Sequence, residues 1–95
     1  MKVELSAEAQ AQVDRIDAWW RENRRAAPNL FAEELEEALR ALAVAPALGV
    51  RYPRRPGVRR LLLNRTHYHL YLLEEATRVY VVAIWSAYRG RGPRL

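Results

Sequence analysis

His67 and His69 stand two residues apart, and imidazole is the side chain that titrates near neutral pH. On a strand this spacing puts both rings on one face, with Tyr71 continuing the row. Such a pair could take and return the proton of a ribose 2′-hydroxyl; the alternative is a cross-strand surface row without catalytic duty. As metal ligands the two lack a third partner, so no metal is expected. Of the 16 basic residues all but Lys2 are arginine. Arginine grips phosphate or carboxylate as a bidentate fork and stays charged, so it binds but does not exchange protons. If the chain is a nuclease, the catalytic candidates are His67, His69 and Tyr88, together with Arg60 and Arg89, which could hold the phosphate but not exchange protons. Arg59, Arg60, Arg65, Arg89 and Arg91 are the candidates for binding nucleic-acid phosphates or the carboxylates of a protein partner. Arg59 and Arg60 are adjacent on a strand-like run, so they must face opposite ways. Tyr88 could stack on a base or close a sheet edge.

These groups sit in a divided chain. Residues 1–45 carry six basic and nine acidic side chains, a net −3, whereas residues 46–95 carry ten and two, a net +8. One strongly cationic surface beside a near-neutral half implies an anionic partner: RNA, DNA or an acidic protein. Ninety-five residues suit one domain spanning 1–95, and about half of them are apolar, enough for a core without a staple. The absence of cysteine excludes disulfides, cysteine-bound zinc and thiol catalysis. The opening Met1-Lys2-Val3-Glu4-Leu5 has no signal-peptide run, and no stretch reaches the length of a membrane span. A cytoplasmic protein without cofactor is the expectation.

The elements that must position the candidates follow from pattern. Lys2–Leu5 alternates as a short strand. Ser6 is an N-cap and Glu8 an acid in the first turn. Ala9, Val13, Ile16 and Trp20 then recur at helical spacing over 7–24. Trp19 and Trp20 cannot both point inward; Trp20 fits the stripe, leaving Trp19 at its edge for a partner to cover. Pro28 suits the first turn of a second helix. Its stripe is Phe31, Leu35, Ala38, Leu39 and Leu42, with Glu33, Glu34, Glu36 and Glu37 on the other faces. Residues 46–57, rich in proline and arginine, read as loop. Three strand-like runs follow, 58–63, 67–73 and 78–85, the last apolar on both faces as an interior strand would be. Arg89–Arg94, with Gly90, Gly92 and Pro93, reads as a tail that is mobile unless bound. The class is α+β: an N-terminal strand, an antiparallel helical hairpin, then a three-stranded antiparallel meander.

In this order the chain resembles the RelE/ParE family of toxins from type II toxin–antitoxin modules. The resemblance is carried by Leu5-Ser6-x-Glu8-Ala9, by Phe31-x-x-x-Leu35-x-x-Ala38-Leu39-x-x-Leu42 and by Pro46-x-Leu48-Gly49. It continues in Val58-Arg59-Arg60-Leu61, Tyr68-His69-Leu70-Tyr71 and Val81-Val82-Ala83-Ile84-Trp85-Ser86-Ala87-Tyr88-Arg89. It implies a growth-inhibiting toxin in a hetero-oligomer with a cognate antitoxin, and two mechanisms are open to such a fold. RelE-like members cleave mRNA on the ribosome; ParE-like members bind DNA gyrase. The lysines that RelE-like cleavage uses have no counterpart here, and Pro93-Arg94-Leu95 supplies no closing tyrosine. The resemblance therefore favours ParE-like gyrase inhibition, with the helical hairpin and Trp19 as the target-binding surface. The alternatives are a ribosome-dependent endonuclease and a basic RNA-binding module without toxicity.

Overall fold

The computed structural model describes residues 1–95 as one five-stranded sheet with two helices on one face. In chain order the elements are β1 (Lys2–Leu5), α1 (Ala7–Asn23), α2 (Leu30–Val44), β2 (Val50–Arg51), β3 (Val58–Leu63), β4 (Tyr68–Glu74) and β5 (Arg78–Ser86). The sheet order is β1-β5-β4-β3-β2. β3, β4 and β5 form the expected antiparallel meander, and β1 joins β5 in parallel. No helix is long and apolar enough to cross a membrane.

Local chemistry explains most boundaries. Ser6 is extended, and its hydroxyl accepts the Ala9 N–H at 3.0 Å, capping α1 with Glu8 in the first turn. α2 begins at Leu30, two residues later than Pro28 suggests. Asn29 caps it without a side-chain hydrogen bond, and Pro28 falls in the inter-helical turn. The loop expected over 46–57 contains the two-residue strand β2, with Val50 opposite Arg60 and Arg51 opposite Arg59. That pairing depends on Gly49. A Cβ there would meet the Arg59 Cβ at 3.0 Å, so the backbone approaches β3 only because the side chain is missing.

The core between helices and sheet joins Ala9, Phe31, Leu35 and Leu42 to Leu63, Leu70, Leu72, Val79, Val81 and Ile84. Full burial of side chains such as Phe31, Leu42 and Leu70 contributes roughly 1.5–3 kcal/mol each. The expected stripe positions Val13, Ile16, Trp20, Ala38 and Leu39 pack around it. Trp20 also donates its indole N–H to the Tyr68 hydroxyl at 3.2 Å, while Trp19 stays 45% exposed. A register shift between Tyr71 and Leu72 puts Val81 and Ile84 on the same side, with Val82 and Ala83 turned to the other.

Three polar side chains, Gln12, Glu34 and Thr66, are buried in this arrangement. β1 ends before β5 does, and α1 covers the exposed edge: the Gln12 Oε1 accepts the Ile84 N–H at 2.7 Å. Glu34 does not lie on an outer face. It is 7% exposed and accepts hydrogen bonds from the Arg65 N–H (2.7 Å), the Thr66 N–H (2.9 Å) and the Thr66 hydroxyl (2.6 Å). A helix carboxylate thus holds the β3–β4 turn. Burial pushes the Glu34 carboxyl up, but these hydrogen bonds and the Arg65 charge outweigh it, and its pKa ends below the usual value.

Candidate functional site

The sheet face turned away from the helices carries part of the chain's cationic half. Strand alternation puts Arg60, His69 and Tyr71 on it, and Trp85 joins them opposite His69. Tyr52, Val58, Tyr71 and Ala83 form a second small apolar cluster there, and Leu73, Val82, Trp85 and Leu95 pack against it. Tyr52 and Tyr71 meet edge to face at 5.0 Å, and the Arg60 guanidinium lies 5.3 Å from the Tyr52 ring.

The tail, expected to be mobile, is folded onto this face. The Trp85 indole donates to the Arg91 carbonyl at 2.8 Å, and Arg55 donates to the Leu95 carbonyl at 2.8 Å. Gly92 passes so close to the tyrosines that a Cβ there would fall 2.6 Å from the Tyr52 hydroxyl and 3.2 Å from that of Tyr71. Tyr71 on the central strand β4 and Tyr52 just beyond the edge strand β2, both buried, make this docking possible; a tail rich in glycine and proline gives no sign of it by composition. Between tail, loop and sheet lies a cavity of about 290 Å³ lined by Arg54, Arg60, His69, Trp85, Arg89 and Arg91 among others.

The histidine row is not formed. His67 does not belong to a strand; it closes the β3–β4 turn with φ at +63°. Its N–H donates to the Leu63 carbonyl at 2.8 Å and its carbonyl accepts from Ala87 at 2.8 Å, so the turn geometry fixes it. A non-glycine residue with positive φ is uncommon, although histidine is among those enriched there. The His67 ring packs 5.0 Å from that of Tyr88, which is otherwise well exposed. His69 stays on the strand, with its ring 6.0 Å from that of Tyr71. Burial, and then the neighbouring Arg60 charge, hold its pKa below the ordinary histidine value. Both effects favour the uncharged imidazole.

The arginines divide into two groups. Arg65 is taken up internally, 3.1 Å from Glu37 and 3.5 Å from Glu34. Arg59 faces the helix side and donates to the Gly49 carbonyl at 3.1 Å. Arg60, Arg89 and Arg91 have no carboxylate partner; Arg89 rests 4.7 Å from the Trp85 ring. Arg54 lines the same cavity and escaped the sequence reading. Its signal is the Tyr52-Pro53-Arg54 string, where the apolar tyrosine docks on the sheet and carries the arginine with it. No three His, Cys, Asp or Glu side chains converge as a metal site would need. What this face can do is bind anions, with one neutral imidazole beside them.

Sharing Trp85 and Arg89 with the cavity under the tail, a second groove of about 320 Å³ runs between α1 and the end of β5, lined also by Arg15, Ile16, Trp19 and Tyr68 among others. Trp19 and Trp20 meet edge to face at 6.0 Å, and the Arg24 guanidinium lies 5.0 Å from the Trp19 ring.

The family described as the ParE toxin of the type II toxin–antitoxin system parDE matches residues 3–89. Among solved structures, the chromosomal ParDE toxin–antitoxin system from P. aeruginosa shares the fold with a TM-score of 0.73 at 20% sequence identity, over 90% of this chain and 95% of that one. No curated protein matches the sequence.

Proposed function

The chain belongs to the ParE toxin family of type II toxin–antitoxin systems, and from that premise we propose that it arrests growth by binding DNA gyrase, not by cutting RNA. The observation that carries this reading is the separation of the two histidines. General acid–base cleavage at a 2′-hydroxyl needs one group to accept a proton and another to donate one. His69 lines the arginine cavity, but His67 is held in the turn against Tyr88 and does not line it. The arginines cannot take its place. Trp19, half exposed on α1 beside Arg15 and Arg24, is the kind of aromatic anchor that a protein target covers. The antitoxin, the other partner that the family implies, brings the anionic groups that the cationic face lacks.

A second reading rests on His69 alone: an uncharged imidazole beside Arg60 is a competent general base. One experiment separates the two. Gyrase supercoiling and ribosome-bound mRNA cleavage are assayed with the wild-type toxin, Trp19→Ala and the double variant His67→Gln/His69→Gln. Loss of supercoiling is expected with the wild type and the histidine variant, and at least tenfold weaker inhibition with Trp19→Ala. mRNA cleavage that drops by roughly 2–4 orders of magnitude in the histidine variant would establish the ribonuclease instead.

A further inference from the structure

The cavity under the tail gathers four arginines and no acid, the largest such group lining one cavity of the protein. Arg21, Arg40, Arg65 and Arg78 each lie within 4.0 Å of a carboxylate. Arg54, Arg60, Arg89 and Arg91 do not, yet they line one cavity, and none of its 13 lining residues is acidic. Like charges gathered without counter-charges raise the local potential and concentrate anions. The half-buried His69 at the same wall responds to that potential, since Arg60 helps to keep it uncharged.

We propose that this cavity is a binding site for a polyphosphate group, free or carried on a nucleoside. Charge decides between this and a single carboxylate or phosphate. Four guanidinium groups call for about four negative charges, and a triphosphate brings them in one compact unit with oxygens spaced for guanidinium forks. Size decides against a polymer. At about 290 Å³ the cavity is at the small end of ligand pockets. It is closed on one side where Gly92 meets the Tyr52 and Tyr71 hydroxyls, and the Trp85–Arg91 hydrogen bond holds that closure. The site does not depend on which target the toxin inhibits.

The test is calorimetric titration of the purified toxin with sodium tripolyphosphate, with ATP and with a ten-nucleotide single-stranded RNA. Saturable binding with one site per chain is expected for tripolyphosphate and ATP. Equal affinities assign recognition to the phosphates, and tighter ATP binding assigns the nucleoside as carrier; both support the site. Arg54→Gln, Arg60→Gln and Arg91→Gln should each weaken tripolyphosphate roughly 10- to 150-fold, the worth of one charge-assisted contact. Arg40→Gln, which removes an exposed pair with Glu36 on α2, should leave it unchanged. Arg91 uses only its backbone within the protein, so its variant tests the site without endangering the fold. The His69 ring resonance should titrate at higher pH once the anion is bound. The proposal is overturned if tripolyphosphate shows no saturable binding, if the cavity variants weaken it no more than Arg40→Gln does, or if the RNA alone binds.

Discussion

Removing the Glu34 carboxylate should loosen the turn between β3 and β4 and lower stability by an amount the structure allows us to bound. Three donors converge on it: the Arg65 N–H, the Thr66 N–H and the Thr66 hydroxyl. In Glu34→Ala the Arg65 N–H can turn to water, because that residue is exposed, but Thr66 is only 6% exposed and both its groups are stranded. Two buried unsatisfied donors at about 1–3 kcal/mol each, less some relaxation, give roughly 2–4 kcal/mol. For a domain of this size that is a fall in Tm of about 8–30 °C. Glu34→Gln keeps one acceptor oxygen and turns an amide N–H₂ toward the donors, so about 1–2 kcal/mol is expected. The pH dependence carries the sharper test. The folded carboxyl lies below its ordinary value of 4.5, so between the folded and unfolded values the unfolded chain binds more protons. The stabilisation is therefore complete above that unfolded value and is lost as pH falls through the folded one. Thermal unfolding of wild type and Glu34→Gln from pH 7 to pH 3 should show a constant gap that narrows below about pH 4.5. A shift under 3 °C for Glu34→Ala, or a gap of equal size at pH 7 and pH 3, would refute the clamp.

Gln12→Leu keeps the volume beneath β5 but leaves the Ile84 N–H unpaired, and urea unfolding should register a loss of about 1–3 kcal/mol. A smaller loss would mean that water reaches that edge. Gly92→Val should drive the tail off Tyr52 and Tyr71; limited proteolysis should then cleave after Arg89 or Arg91 at least several-fold faster, with the helix–sheet core still folded. Induction of the wild-type chain should arrest growth and co-expression of its antitoxin should restore it. Undiminished growth with folded protein present would count against a toxin.

The sequence made the layout legible because period and punctuation agreed. Ser6, the Phe31–Leu42 stripe and the 58–63 run each fall where the structure has a cap, a helix face and a strand. What pattern could not carry was side chains whose role is set by something far along the chain. Glu34 sits among Glu33, Glu36 and Glu37 and looks like one more solvated acid, yet its place three residues after Phe31 puts it on the buried side, where it reaches Thr66. His67 fits the alternation of a strand by type, but the turn chemistry of Asn64-Arg65-Thr66 extends through it and takes it out of the row with His69. The tail composition of glycine, proline and arginine conveys mobility; two buried tyrosines, 19 residues apart in sequence, give it a surface to lie on.

The split between a net −3 half and a net +8 half has a structural meaning beyond attraction to anions. Six of the eleven acids are engaged by basic partners away from the tail. Asp17 and Glu36 pair with arginines on their own helices, Glu34 and Glu37 hold Arg65, and Glu4 and Glu75 hold Arg78 between β1 and β5. Every one of these pairs lies on the helices or along the sheet margins. No acid lines the cavity beneath the tail, and two of its arginines, Arg60 and Arg89, rest on the aromatic rings of Tyr52 and Trp85, contacts that satisfy a guanidinium only in part. That face therefore keeps its binding capacity in the free protein, whereas Arg65, with the same charge but two carboxylate partners, would have to break existing bonds to offer any. Of two exposed arginines in the cationic half, the one without a partner is the better guide to where an anion binds.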